Sequence, residues 1–211
     1  LRNGTQRTAK EVFEKYAIVI AFLALLIVVS ILCSSFLTPS NLILVLNQTS
    51  INGILAVGIT YVLITAGIDI SIGSVVGLSG VISAMVVKAG APLPVGFLCG
   101  ILAGTLVGVI IGILVTKGKL APYIVTLGFL TIIRGAALLI AGGRPISSLG
   151  DAYGWIGNHN VFGVIPCPVI IFLIVVVIGH IILAHLQIGR YIYAVGGNSN
   201  AAEACGISPN K

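Results

Sequence analysis

The stretch from Tyr16 to Ile68, YAIVIAFLALLIVVSILCSSFLTPSNLILVLNQTSINGILAVGITYVLITAGI, holds 53 residues and not one charge. As one helix it would run roughly 80 Å, against about 30 Å of bilayer hydrocarbon. It must cross a membrane more than once. The rest of the chain agrees: of 211 residues, 58% are hydrophobic and 8% charged, and mean hydropathy is +1.19. A soluble domain carries about 25% charged residues. Eleven Lys and Arg with five Asp and Glu cannot cover a water-facing surface of ordinary size. A soluble enzyme, a nucleic-acid binder and a disordered tail are excluded. The fold class is all-α, a polytopic transmembrane helical bundle.

Apolar runs read against turn residues predict six spans. The first covers about 16–37 and closes at Thr38-Pro39-Ser40-Asn41, where Pro39 supports a turn and Ser40 or Asn41 can cap the next helix. The second covers about 42–66 and stops at Gly67-Ile68-Asp69. The third, 70–87, ends at Lys88-Ala89-Gly90, and the fourth, 93–116, ends at Lys117-Gly118-Lys119. Pro122 begins the fifth, which fades near Gly142-Gly143. A polar connection over 144–163 holds Asp151, Trp155, Asn158 and His159. The sixth covers about 164–186. This divides the chain into an N-terminal segment 1–15, a membrane domain 16–186 and a final polar segment 187–211.

Orientation follows from the basic residues. With the N-terminus inside, the inner segments hold Arg2, Arg7, Lys10, Lys15, Lys117, Lys119, Arg190 and Lys211, and the outer ones only Lys88 and Arg144. That is a positive-inside bias, and it accounts for the formal charge of +6 without any nucleic-acid partner. The run 17–32 is long for the core of a cleavable signal, lacks an Ala-x-Ala site and leads into further spans, so it reads as a retained first helix. Cys33, Cys99, Cys167 and Cys205 are scattered without metal spacing and read as small hydrophobes.

Glycine is abundant, 27 residues, and Gly96, Gly100, Gly104, Gly108 and Gly112 recur every four residues along the fourth span. Small residues at that spacing let helix backbones approach closely in lipid. Each four-residue step drifts about 40° around the axis, so the stripe suits partners that cross at an angle. This is architecture.

Asp69 is the one acidic residue close to a span on both sides, in Gly67-Ile68-Asp69-Ile70-Ser71-Ile72-Gly73-Ser74. Two readings stand together. Asp69 can cap the following helix, with Gly67 and Gly73 allowing a tight reversal and close packing. Alternatively, this is a broken-helix element, with Ser71, lining a pathway. Arg134 lies some twelve residues into the fifth span, either as a snorkelling or ion-paired structural group or as a pathway residue. Asn47, Gln48 and Asn52 open the second span, and Gln48 and Asn52 share a face. Their amides suit sugar hydroxyls or interhelical hydrogen bonds equally well. His159, His180 and His185 have no ligand spacing. No nucleophile elbow, phosphate loop, HExxH or paired carboxylates occur, so no catalytic constellation and no metal site is expected.

In the tail, Gly189 can end the sixth helix, and Gly196-Gly197 can make a turn. Asn200, with Glu203 three residues on, reads as a capping box for a short Ala-rich helix that Gly206 stops. So short a helix is marginal alone and needs something to dock against.

The Gly67–Ser74 stretch, preceded by Gln48-Thr49-Ser50-Ile51-Asn52 and Ala56-Val57-Gly58, resembles the membrane permeases of bacterial ABC sugar importers, the ribose-permease type. So does Gly189-Arg190-Tyr191-Ile192-Tyr193-Ala194, followed by Gly196-Gly197-Asn198 and Ala201-Ala202…Gly206-Ile207. The likeness runs from about Ile18 to Lys211. It implies a homodimeric, multi-pass permease of the bacterial inner membrane that takes a monosaccharide such as ribose from a periplasmic or lipoprotein sugar-binding protein. A cytoplasmic ATP-binding subunit would supply the energy. ATP and Mg would be bound there, leaving this chain with no cofactor and no enzymatic role. By the same resemblance, 201–207 is the coupling helix, shaped by Gly196, Gly197 and Gly206 and flanked by Arg190, Asn198, Ala201, Ala202 and Glu203. The Gly67–Gly73 turn would lie near the translocation path. Family members have about ten helices, so the resemblance makes this chain a piece lacking the last third. An ion-gradient-driven secondary carrier, whose unwound Gly67–Gly73 stretch holds an ion, is the alternative. A structural subunit without a pathway is another.

Overall fold

The protein, seen in a computed structural model, is described over residues 9–161 and 163–208. Its helices are α1 (Ala9–Leu32), α2 (Pro39–Ile64), α3 (Ile72–Lys88), α4 (Leu93–Thr116), α5 (Pro122–Ile140), α6 (Asp151–Asn158), α7 (Cys167–His185), α8 (Gln187–Gly197) and α9 (Ser199–Ala204). Between α6 and α7, β1 (Asn160–Val161) pairs antiparallel with β2 (Ile165–Pro166). Four helices, α2, α4, α5 and α7, are long and apolar enough to cross a membrane; α1 from Tyr16 and α3 are shorter apolar helices. These six helices lie where the six spans are expected. The first eight residues of the expected N-terminal segment, and the last three of the tail, lie outside the described residues.

The chain divides after Gln48 into two compact units. In the first, α1 ends at Leu32, earlier than the expected 37, because residues 33–38 fold into a tight turn. Phe36 N–H donates to the Cys33 carbonyl at 3.0 Å, and the Thr38 hydroxyl to the Ser35 carbonyl at 2.7 Å. Pro39 is then the first residue of α2 rather than part of a turn. The ring's fixed φ and missing N–H suit that position. Asn41 does not cap α2; its amide donates to the Phe36 carbonyl at 2.8 Å.

The second unit, from Thr49, is built around α3, which packs against α4 and α5. Leu78 of α3, Val107 and Ile111 of α4, and Val125 and Ile133 of α5 form its buried core. The small-residue stripe of α4 makes the α3 contact. A Cβ on Gly100 would lie 2.8 Å from the Ser79 carbonyl oxygen, one on Gly104 2.8 Å from the Ser79 hydroxyl, and one on Gly96 3.0 Å from the Ser83 carbonyl oxygen. Gly108 and Gly112, by contrast, have open space beside them. The stripe has drifted off α3 by that point, as its four-residue period requires. Gly100→Leu is therefore expected to force α3 and α4 apart. Overpacking of this kind costs about 1–3 kcal/mol, and the check is folded yield in detergent by size-exclusion chromatography. Unchanged yield and thermal stability would remove the close-packing role.

The part of α2 within this unit touches α7 at a few points. The Tyr61 hydroxyl donates to the Gly179 carbonyl at 2.9 Å, and Phe172 of α7 covers Gly53. Elsewhere the spans turn large apolar side chains outward, with Ile124 70% and Leu139 85% exposed. This is the surface expected of a protein whose solvent is lipid.

Candidate functional site

The link between α2 and α3 is the most organised polar element of the membrane domain. Helix α2 ends with Ala66 in the left-handed conformation at φ 59°, and the N–H of Gly67 reaches back to the Val62 carbonyl at 2.9 Å. The N–H of Ala66 donates to Leu63 at 3.0 Å, completing a Schellman-type end. The residue that reverses the chain is thus Ala66 and not Gly67, contrary to the expectation for the glycines. Gly67 contributes space instead, with the Val62 side chain 3.0 Å from where its Cβ would stand.

Two residues on, one Asp69 carboxylate oxygen accepts the Ser71 N–H at 2.8 Å and the Ser71 hydroxyl at 2.6 Å. Ser71 is fully buried and occupies the cap position of α3, its carbonyl receiving the N–H groups of Ser74 and Val75 at 2.9 and 3.0 Å. Asp69 therefore secures the start of α3 through Ser71. It does so from a loop position where the side-chain oxygen outcompetes water. Two hydroxyls tie the turn to α5, Thr126 on α5 itself and Ser74 in the first turn of α3. The buried Thr126 hydroxyl donates to Pro122 of its own helix at 2.9 Å and lies 3.4 Å from the Ile68 carbonyl oxygen. The Ser74 hydroxyl donates to the Leu130 carbonyl at 2.8 Å. Hydroxyls inside apolar runs are the available signal, since in lipid a carbonyl is their favoured partner.

Arg134 stands well inside α5, exposed, beside two cavities of about 670 and 390 Å³ between α3 and α5. Gly73 belongs to the smaller one and has nothing within 4 Å of a Cβ position, so it makes space and not the expected close packing. Arg134 and Gly73 are brought together; Asp69 and Ser71 are engaged with each other. Gln48 and Asn52 are exposed on α2, and Asn47 is half-buried. The polar loop over 144–163 is folded, with Tyr153 of α6 stacked on Phe97 of α4 at 5.6 Å and Trp155 on His159 at 4.3 Å.

At the other end, α7 stops at His185 because Leu186 is extended. Gly189 does not end that helix. It lies buried in the first turn of α8, where the Ile182 and Leu183 carbonyls come so near that no Cβ would fit. Gly196 and Gly197 are likewise helical and form no turn; Gly196 sits on the Ile64 carbonyl at the end of α2, again with no space for a Cβ. Asn198, extended at φ −162°, accepts the Ala201 N–H at 3.0 Å and caps α9. Asn200, expected in that role, falls in the first turn, so Glu203 closes no capping box. Gly206 does end α9, at φ 81°, with the Ile207 N–H returning to the Ala202 carbonyl at 2.9 Å. Ala202 is buried, while Arg190, Gly197, Ala201 and Glu203 are exposed.

A bundle of apolar helices with close glycine seams, one secured polar turn and a short docked helix on its polar tail defines an integral membrane protein of the transport-permease class. Residues 41–211 match the family described as branched-chain amino acid transport system, permease component, and the chain belongs to that family. It is 42% identical over 197 residues to the ribose import permease of Bacillus subtilis strain 168, covering 93% of this chain and 61% of that one. The ribose import permease of Haemophilus influenzae is 42% identical over 200 residues, covering 91% and 60%. The D-allose transport system permease of Escherichia coli K12 is 35% identical, covering 92% and 60%. The chain thus spans about 60% of the length of these relatives. No solved structure matches it.

Proposed function

We propose that the chain is the membrane-spanning permease subunit of an ATP-driven, binding-protein-dependent importer that moves a monosaccharide, ribose or a similar sugar, into the cytoplasm. One observation carries the mechanical part: α8, which carries α9, is joined to α2 and α7 by close backbone contacts. Gly196 of α8 sits on the Ile64 carbonyl of α2, Gly189 on the carbonyls of α7, and Ala202 is buried. A displacement of α9 is therefore passed to the spans. The sugar class rests on the ribose and allose permeases among the relatives.

In this reading residues 1–15 and 187–211 face the cytoplasm of a bacterial cell and 16–186 span its inner membrane. The cytoplasmic ATP-binding subunit, which holds ATP and Mg, grips α9. A sugar-binding protein delivers from the opposite side, and a second copy completes the path. ATP binding draws the two copies into the alternate state, and hydrolysis returns them. Asn47, Gln48, Asn52, Asp69, Ser71 and Arg134 are the candidate path residues, and nothing in this chain hydrolyses ATP.

Gly206→Pro tests the coupling assignment. Proline would remove the N–H that donates to the Glu203 carbonyl at 2.9 Å and cannot adopt the positive φ. Expected are loss of ATPase-subunit association and of ribose uptake in proteoliposomes, with the permease still folded. Survival of both would sink the assignment.

A further inference from the structure

We infer that the space between α3 and α5 is a water-filled chamber that takes a neutral monosaccharide, with Arg134 as its principal hydrogen-bond donor; this deepens the importer reading and rests on it. The argument begins with charge. Arg134 follows Pro122 by twelve residues, about 18 Å along α5, and about 9 Å remains before Ile140. A guanidinium at that depth calls for water, a polar ligand, a carboxylate or a backbone carbonyl, or for a route along which it can snorkel to the interface. Of the five acidic residues none lies on α3, α4 or α5, and the accepting oxygen of Asp69 is committed to Ser71. Among the described residues no carboxylate or carbonyl is paired with Arg134, and its exposed side chain lines a space that opens beyond the end of α5, which favours water and ligand as its company.

The shape agrees. Open grooves of about 670 and 390 Å³ share Gly77, Arg134 and Ala137, and both are roomy enough for a small molecule. Their α3 wall includes Gly73, Gly77 and Gly80, on one helical face beside Val76, Val81 and Ala84, and none of the three glycines has a heavy atom within 4 Å of its Cβ position. The glycines of α4 that face α3 are all in tight contact, so those of α3 serve a different end: they keep a volume open. The larger cavity continues past the end of α5 to Arg144 and to Tyr153, which α4 holds in place through Phe97. The floor is apolar, the donors are the guanidinium forks of Arg134 and, at the rim, Arg144 together with the Tyr153 phenol, and the rim is outside the span. A sugar ring, with hydroxyls at its edge and C–H groups on its faces, matches that division.

The test is thiol accessibility in the full-length permease with its ATP-binding subunit in proteoliposomes. Cys33, Cys99, Cys167 and Cys205 are replaced by serine, and single cysteines are placed at Gly77, Ala137 and, on the lipid side, Leu139. A membrane-impermeant cationic thiosulfonate is expected to modify Gly77→Cys and Ala137→Cys at least about tenfold faster than Leu139→Cys, since thiolate chemistry requires water. Saturating D-ribose should slow the first two and leave the third unchanged. Adding Arg134→Gln should abolish that protection while the cavity stays reactive. Equal rates at all three positions would show that the groove faces lipid or another helix and overturn the inference. Fast modification with protection by D-gluconate but not by D-ribose would overturn the neutral ligand. ATP-driven ribose uptake by the cysteine-free parent is measured separately, and its absence would count against the importer reading, whatever the labelling shows.

Discussion

Gly196→Ala is expected to abolish sugar-stimulated ATP hydrolysis and sugar uptake together, each by at least about tenfold, while the spans remain inserted and helical. The added Cβ would overlap the Ile64 carbonyl, which is main chain and has no rotamer to yield. Relief requires α8 to lift from the end of α2, and α9 moves with it. The loss would thus come from geometry, not from any change in charge or polarity. Overpacking at a rigid contact costs about 1–3 kcal/mol, which a bundle of this size survives, so the defect should appear in coupling before it appears in folding. Gly108→Ala is the matching control: it adds the same methyl on α4, where nothing stands within 4 Å, and should be neutral or slightly stabilising. The check is ATPase activity with and without loaded binding protein, beside thermal unfolding of both variants. Full activity in Gly196→Ala would show that the tail moves independently of α2.

Asp69 offers the second large effect, because two substitutions separate its two readings. Asp69→Ala leaves the N–H and hydroxyl of fully buried Ser71 without an acceptor. Orphaned donors of that kind cost about 1–3 kcal/mol each, so with two of them Tm should fall by roughly 4–24 °C for a chain of this length. Asp69→Asn keeps the accepting oxygen and removes the charge. It is expected to retain most of the stability and most of the ATP-driven uptake. An ion-coupled carrier would behave otherwise, since a neutral amide cannot hold a cation as a carboxylate does. Collapse of uptake in a stable Asp69→Asn protein would therefore favour the carrier.

The spans are legible in the amino-acid sequence because hydrocarbon imposes one requirement on every residue that enters it. The limits of α4 coincide with the expected ones at both ends, and those of α3 and α5 lie within a few residues. Local chemistry is legible where a single residue type can do the work, as with Gly206 ending α9 and Asp69 securing α3. It is not legible where a distant neighbour decides. Gly189, Gly196 and Gly197 have the composition of breakers, yet each is helical; at Gly189 and Gly196 the carbonyls of α7 and α2 leave no volume for a side chain. Likewise Asn198 and Asn200 are equivalent by composition, and backbone geometry selects the first. The openness of Gly73, Gly77 and Gly80 against the tightness of Gly96, Gly100 and Gly104 has no counterpart in the spacing, which is nearly the same on both helices.

The hydrogen bond from Tyr61 to the Gly179 carbonyl joins residues 118 positions apart. A ribosome adding about 5–20 residues per second takes roughly 6–24 s to cover that distance. The α3–α4–α5 group is contiguous in sequence and can assemble as it emerges, but α2 must wait in the bilayer for a partner not yet made. During that interval the Tyr61 hydroxyl and the notch at Gly53 face lipid or the insertion machinery. Biogenesis of this permease thus has a natural order, with the central three helices settled first and the α2–α7 clasp closed last.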